Sequence, residues 1–148
     1  MELSSFIICE DIRHEEGNKI SLMGVYGDSI NFFQNSEIKS AFPRKKKLRF
    51  LIKLKNLTPK EKTETRFLIL DSKLNGEKEN SLFKIEIKSI LRSELNVIVI
   101  LENFEFKNKG HLSFGIRLQN EKLQNISYMD DAYLLEVSEL DKSKKALV

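Results

Sequence analysis

Hydrophobic and polar residues alternate along most of this chain. From Lys47 to Leu57, the residues Leu48, Phe50, Ile52 and Leu54 share one parity. Lys47, Arg49, Lys53 and Lys55 share the other, together with Leu51. Successive side chains of a strand point to opposite faces, so this period-two pattern predicts a half-buried strand. The same pattern recurs in Phe83-Ile85-Ile87, in Leu112-Phe114-Ile116-Leu118 and in Tyr133-Leu135-Val137. Phe67–Leu70 and Val97–Leu101 are apolar at consecutive positions and are expected to be central or covered strands.

The N-terminal third predicts a hairpin. Ser5–Ile12 and Lys19–Tyr26 are its strands, and Glu15-Glu16-Gly17-Asn18 is its turn. Asn56-Leu57-Thr58-Pro59, Asn75-Gly76 and Asn108-Lys109-Gly110 mark further turns between apolar runs. Asn31–Phe42 lacks strict alternation and reads as a loop or a single helical turn. No segment carries a helical stripe. About eight strands without a periodic helix predict an all-β, single-domain antiparallel β-sandwich over residues 1–140. A β-barrel is the alternative. The Lys-bearing tail, 141–148, is expected to fray. The expected core contains Phe6, Ile8, Leu48, Phe50, Ile52, Ile85, Ile100, Phe104, Phe114, Ile116 and Val137.

Length and composition add limits. A chain of 148 residues buries enough surface to need no disulfide or metal staple. The longest apolar run, Val97–Leu101, is far short of the ~20 residues of a membrane helix, so no membrane partner is expected. The start of the chain lacks a basic stretch and a small-residue cleavage site, so no export signal is expected. The single cysteine, Cys9, excludes an internal disulfide and a cysteine zinc cage. A reducing cytoplasm is the expected location.

Charge is unevenly distributed. The net charge is +3, yet residues 43–62 carry nine basic side chains and one acid. The candidate binding strip is Arg44, Lys45, Lys46, Lys47, Arg49, Lys53 and Lys55. Such strips attract polyanions and steer association, although many are simply solvated strand faces. Phe50 is the only aromatic within the basic strand, and its parity points it into the core. Base stacking is therefore unsupported, and any nucleic-acid contact is expected to be weak and nonspecific.

Candidate chemistry is sparse. His14 and His111 stand 97 positions apart in no catalytic motif, and Cys9 sits in an apolar strand as a buried, inert thiol. No nucleophile elbow, phosphate-binding loop or dinucleotide fingerprint occurs. No cofactor or metal is expected. Asp28, Asp71, Asp130 and Asp131 do not form a calcium loop and read as turn residues. The sharpest polar cluster is Glu10, Asp11 and Arg13. Parity puts Asp11 and Arg13 on one face and Glu10 on the other, predicting an Asp-Arg pair as structural glue.

Several short words, in order, carry a resemblance. They are Phe6-Ile7-Ile8-Cys9-Glu10-Asp11-Ile12-Arg13, Gly17-Asn18-Lys19 and Gly24-Val25-Tyr26. Phe42-Pro43-Arg44, Asn103-Phe104-Glu105-Phe106 and Gly110-His111-Leu112-Ser113-Phe114 follow. The chain thereby resembles a family of small bacterial β-sandwich proteins with no assigned function. Asn18 departs from that family's Gly-Lys pair. The resemblance implies an immunoglobulin-like or C2-like sandwich and carries over no catalytic residue.

The combined expectation is a non-enzymatic protein-interaction module. Its partner is expected to be a protein, acidic if it uses the basic strand, or a second copy forming a homodimer. The edge expected to pair is the weakly charged Tyr133–Glu139 strand. A polyanion- or nucleic-acid-binding domain and an unrecognised hydrolase are the alternatives.

Overall fold

The computed structural model describes residues 1–34, 41–78 and 81–140. It is an all-β sandwich of two sheets with no closed barrel. The strands are β1 (Glu2–Glu15), β2 (Lys19–Tyr26), β3 (Ser29–Phe33), β4 (Arg44–Lys55) and β5 (Phe67–Leu74). They continue with β6 (Glu77–Lys78), β7 (Phe83–Glu86), β8 (Leu95–Phe106), β9 (Gly110–Gln119) and β10 (Asn125–Leu140). One sheet has the order β2-β1-β4-β8, and the other β3-β10-β9-β5-β6, with β7 also pairing β5. All pairings are antiparallel except β3 with β10, which is parallel. Among the described residues no helix is long and apolar enough to cross a membrane.

The inner faces meet as the alternation requires. Phe6, Ile8, Leu48, Phe50, Ile52, Phe104, Phe114, Ile116 and Val137 are all buried in one core. Phe6, Phe50 and Phe114 form its centre, with ring centroids 5.6–6.1 Å apart. Ile85 is only partly buried against that core. β5 is a central strand, as its double-sided apolar pattern predicted.

Several expectations need correction. Ile100 is 49% exposed rather than core. The ladder between β4 and β8 shifts register between Lys46 and Leu48, where Phe104 and Leu101 are the respective partners. The extra β8 residue is a bulge that reverses parity, so Val97 and Val99 face inward before it and Phe104 and Phe106 after it. Second, Val97–Leu101 is not central. It belongs to the edge strand β8, and Ile98 is 42% exposed.

Third, Tyr133–Glu139 is not an edge. It lies within β10, whose Glu136–Leu140 stretch is paired to β3, so those backbone groups are already used. Asn31–Phe33 accordingly belongs to β3 rather than to a loop or helical turn; residues 35–40 of that expectation lie outside the described residues. Residues 141–148, expected to fray, also lie outside them.

Fourth, Asn56–Pro59, expected to be a turn, leads into a short helix, α1 (Pro59–Glu64). Its signal was present. Thr58 caps the Glu61 N–H, the Glu61 side chain returns to the Thr58 N–H, and Pro59 occupies the first turn. Glu61 is buried and also accepts from the α-ammonium of Met1 at 3.0 Å.

Candidate functional site

Alternation within β4 divides the basic strip between two faces. Lys45, Lys47, Arg49, Lys53 and Lys55 share the parity of the outer face of the four-stranded sheet. Arg44 and Lys46 share the inner parity, beyond the end of the core. The Arg44 guanidinium lies 5.2 Å from the Phe32 ring centroid, and Lys46 Nζ lies 5.4 Å from that of Tyr26. The seven residues therefore do not form one surface. Arg44, Lys45 and Lys46 also begin the strand rather than precede it as a loop.

Several of these cations are already paired. Lys46 Nζ is 3.3 Å from Glu10 Oε1, and Tyr26 Oη donates to the same oxygen at 2.9 Å. The Tyr26 hydrogen bond and the Lys46 ammonium hold the Glu10 carboxyl below its ordinary range. Burial disfavours the charge on Lys46, but Tyr26 and Glu10 outweigh it and raise its pKa. Lys47 Nζ lies 3.6 Å from Glu102. Among the described residues, Lys45, Lys53 and Lys55 make no ion pair.

The Glu10, Asp11 and Arg13 cluster forms just past the end of the β1–β4 ladder. β1 pairs β4 on one side as far as Cys9↔Arg49, and β2 on the other side from Ile8 to Glu15. Arg49 fills the fork where β1 and β4 part. Its Nη1 donates to the Glu10 carbonyl, and its Nη2 lies 3.4 Å from Asp11 Oδ1. Arg13 reaches Asp11 at 3.5 Å, but its side chain is 62% exposed against 16% for Arg49. The expected Asp11–Arg13 pair is present, while the better-sheltered partner of Asp11 is Arg49. Cys9, buried beside this fork, has its thiol pKa pushed up by burial. His14 shares the parity of Glu10, opposite to that of Asp11.

The outer face of this sheet carries an apolar stripe that sequence reasoning did not assemble. One cross-strand row is Val25, Cys9, Arg49 and Ile100; the next is Ile7, Leu51 and Ile98. Cys9 and Leu51 are buried, yet neither belongs to the core between the sheets. Val25, Ile98 and Ile100 are 53%, 42% and 49% exposed. Lys53 forms the adjoining row with Ser5 and Asn96. The signal was the odd parity of Leu51 among lysines, joined to the doubly apolar Val97–Leu101. Only the strand order brings these together.

The second sheet holds a cleft of about 170 Å³ where β10 bulges away from β9 between Met129 and Tyr133. Arg117 donates to Asp71 at 2.5 and 3.1 Å, and Ser81 donates to the same carboxylate at 2.7 Å. Lys73 lies 3.7 Å from Asp130. Burial would raise the Asp71 pKa, but Arg117 and Ser81 lower it. Its main charges are thus spent on one another. Asp71 belongs to β5 and Asp130 and Asp131 to β10, so these three are not the turn residues expected; Asp28 does fall between strands.

A shallower cleft of about 330 Å³ runs between Ser81-Leu82 and the Ile100–Glu105 part of β8.

No protein-family model matches this chain, and no curated protein matches it.

Proposed function

We propose that this chain is a non-enzymatic protein-interaction module that docks an acidic protein through the outer face of the β2-β1-β4-β8 sheet. The observation that carries this reading is the apolar stripe of Val25, Ile98 and Ile100 beside Lys53 and Lys55. An outward sheet face with one wet side ordinarily alternates to polar residues. Here it places exposed isoleucines next to cations that make no ion pair among the described residues. Apolar contacts supply contact area, while the lysines select an acidic partner and speed its approach. The partner expected is an acidic surface carrying apolar side chains. The lone, buried Cys9 suits a reducing cytoplasm. The immunoglobulin-like or C2-like description belongs to the same reading, through the family resemblance.

The test starts with proteins that copurify from the native cell at low salt, identified by mass spectrometry. Each is then purified and titrated with the wild type and with a Lys53→Glu/Lys55→Glu variant. The reading expects an acidic protein whose affinity falls at least tenfold in the variant, and again between ~0.05 and ~0.3 M salt. Equal binding of every recovered partner to both proteins would refute it.

A further inference from the structure

We infer that β8 pairs edge to edge with β8 of a second copy, joining two four-stranded sheets into one of eight strands. This concerns the edge of the sheet, and it shares Ile98, Ile100 and Lys53 with the face proposed for the acidic partner. Among the described residues β8 has one ladder partner, β4, so its other side is an open edge. Natural edges are guarded by charge, proline, a bulge or short length. β8 is 12 residues long, and its Leu95–Leu101 stretch has no charge, no proline and no register shift. The bulge comes only after Leu101. By contrast, β6 and β7 are two and four residues long, and β2 is opened by Lys19 and broken by Gly24 at φ +63°.

The side-chain pattern selects one register. Antiparallel pairing must keep outer-face residues opposite outer-face residues, because a one-residue slip sends them to the other side. A two-fold axis at Val99 sets Ile98 against Ile100 in both halves. An axis one residue earlier sets Ile100 against Asn96, and one residue later sets Ile98 against Glu102. Only the Val99 axis matches both isoleucines with isoleucines.

Charge supports the same occupant. In that register Glu102 stands opposite Asn96 of the other copy, and Asn96 is the ladder partner of Lys53. Neighbouring strands are ~4.8 Å apart, so the backbones of Lys53 and the facing Glu102 are about 9.6 Å apart. A lysine and a glutamate side chain together span that distance. Glu102 already lies 3.6 Å from Lys47 of its own chain, and two-fold pairing brings Lys53 of the other copy to it as a second cation.

Sedimentation velocity on the purified protein from ~5 to ~200 μM is the direct measurement. It should show concentration-dependent conversion from the 17.2 kDa chain to a species of twice that mass. Ile98→Lys/Ile100→Lys should remain monomeric, since each new lysine would face another across the axis. Glu102→Lys and Lys53→Glu should each weaken dimerisation at least tenfold. The combined Lys53→Glu/Glu102→Lys chain restores opposite charges and should recover to within about threefold of the wild type. Circular dichroism shows whether each variant folds. If one does not, amide exchange on the wild type decides, with Leu95–Leu101 gaining protection as concentration rises. A monomer throughout, a dimer indifferent to Ile98→Lys/Ile100→Lys, or protection confined to another strand would overturn the inference. Glu102→Lys leaves Lys53 and Lys55 in place, so failure of the dimer is distinguishable from failure of the acidic-partner reading.

Discussion

Arg49 and Asp11 meet at 3.4 Å in the fork where β1 and β4 part. The arginine also donates to the Glu10 carbonyl, so one β4 side chain holds β1 at two points just past the end of the ladder. Arg13 contacts the same carboxylate from a much more exposed position.

The two arginines should differ on truncation. Arg13→Ala removes a solvent-screened contact and should cost at most about 1 kcal/mol. Arg49→Ala leaves the Asp11 carboxylate and a backbone carbonyl short of a donor and should cost about 2 kcal/mol or more. Urea unfolding at neutral pH compares them directly. Equal losses in the two variants would mean that Arg49 does not hold the fork.

Glu61 supplies an acid-sensitive element. Burial would raise its pKa, but hydrogen bonds from Ser127 and the Thr58 N–H and the α-ammonium of Met1 lower it from 4.5 to about 2. Its folded pKa lies below its unfolded value. The stabilisation is therefore complete above about pH 4.5 and is lost as pH falls towards 2. Its size is about 3 kcal/mol, taking ~1.4 kcal/mol per pKa unit. Glu61→Gln should be destabilised at pH 6 and should lose much of the wild type's decline between pH 5 and pH 2. A wild-type decline preserved in the variant would place the acid sensitivity elsewhere.

The core was legible in sequence because burial and parity coincide. Phe6, Ile8, Phe50 and Phe114 needed only a period of two. Ile100 was misplaced because a bulge is a local backbone event, and residues 101–104 carry no glycine to announce it. The edge position of β8 was hidden for another reason. An apolar run reads the same whether a strand covers it or nothing does, so strand order had to come from the structure. The α1 helix was legible in Thr58-Pro59-Lys60-Glu61 but too short for a periodic stripe. The division of the basic strip followed from parity within β4. Its neutralisation did not, because Glu10 and Glu102 come from strands distant in sequence.

Parity can be tested energetically. Phe50→Ala and Phe114→Ala remove side chains that are fully buried, and each should cost about 3–5 kcal/mol. Ile100→Ala, at 49% exposure, should cost less than about 1 kcal/mol in dilute, monomeric protein. Chemical denaturation below ~1 μM separates the two classes. A large loss at Ile100 would restore it to the core and contradict the bulge.

The basic strand gives a last prediction, on nucleic acid. Five outward cations, Lys45, Lys47, Arg49, Lys53 and Lys55, imply a log–log salt slope of about −4.5 on duplex DNA if all contact phosphate. Lys47 and Arg49 are engaged by Glu102 and Asp11, which leaves Lys45, Lys53 and Lys55 on that face. Three contacts lower the expected slope to about −2.7. The aromatic Phe50 is fully buried, so stacking adds nothing from β4. Binding should therefore be sequence-independent, detectable at ~0.01 M salt and absent near ~0.15 M. Fluorescence anisotropy with two unrelated duplexes measures both the slope and the indifference to sequence. A Lys45→Gln/Lys53→Gln/Lys55→Gln variant should abolish the signal. Tight binding that persists at physiological salt and vanishes in this variant would make nucleic acid, rather than an acidic protein, the ligand of this face.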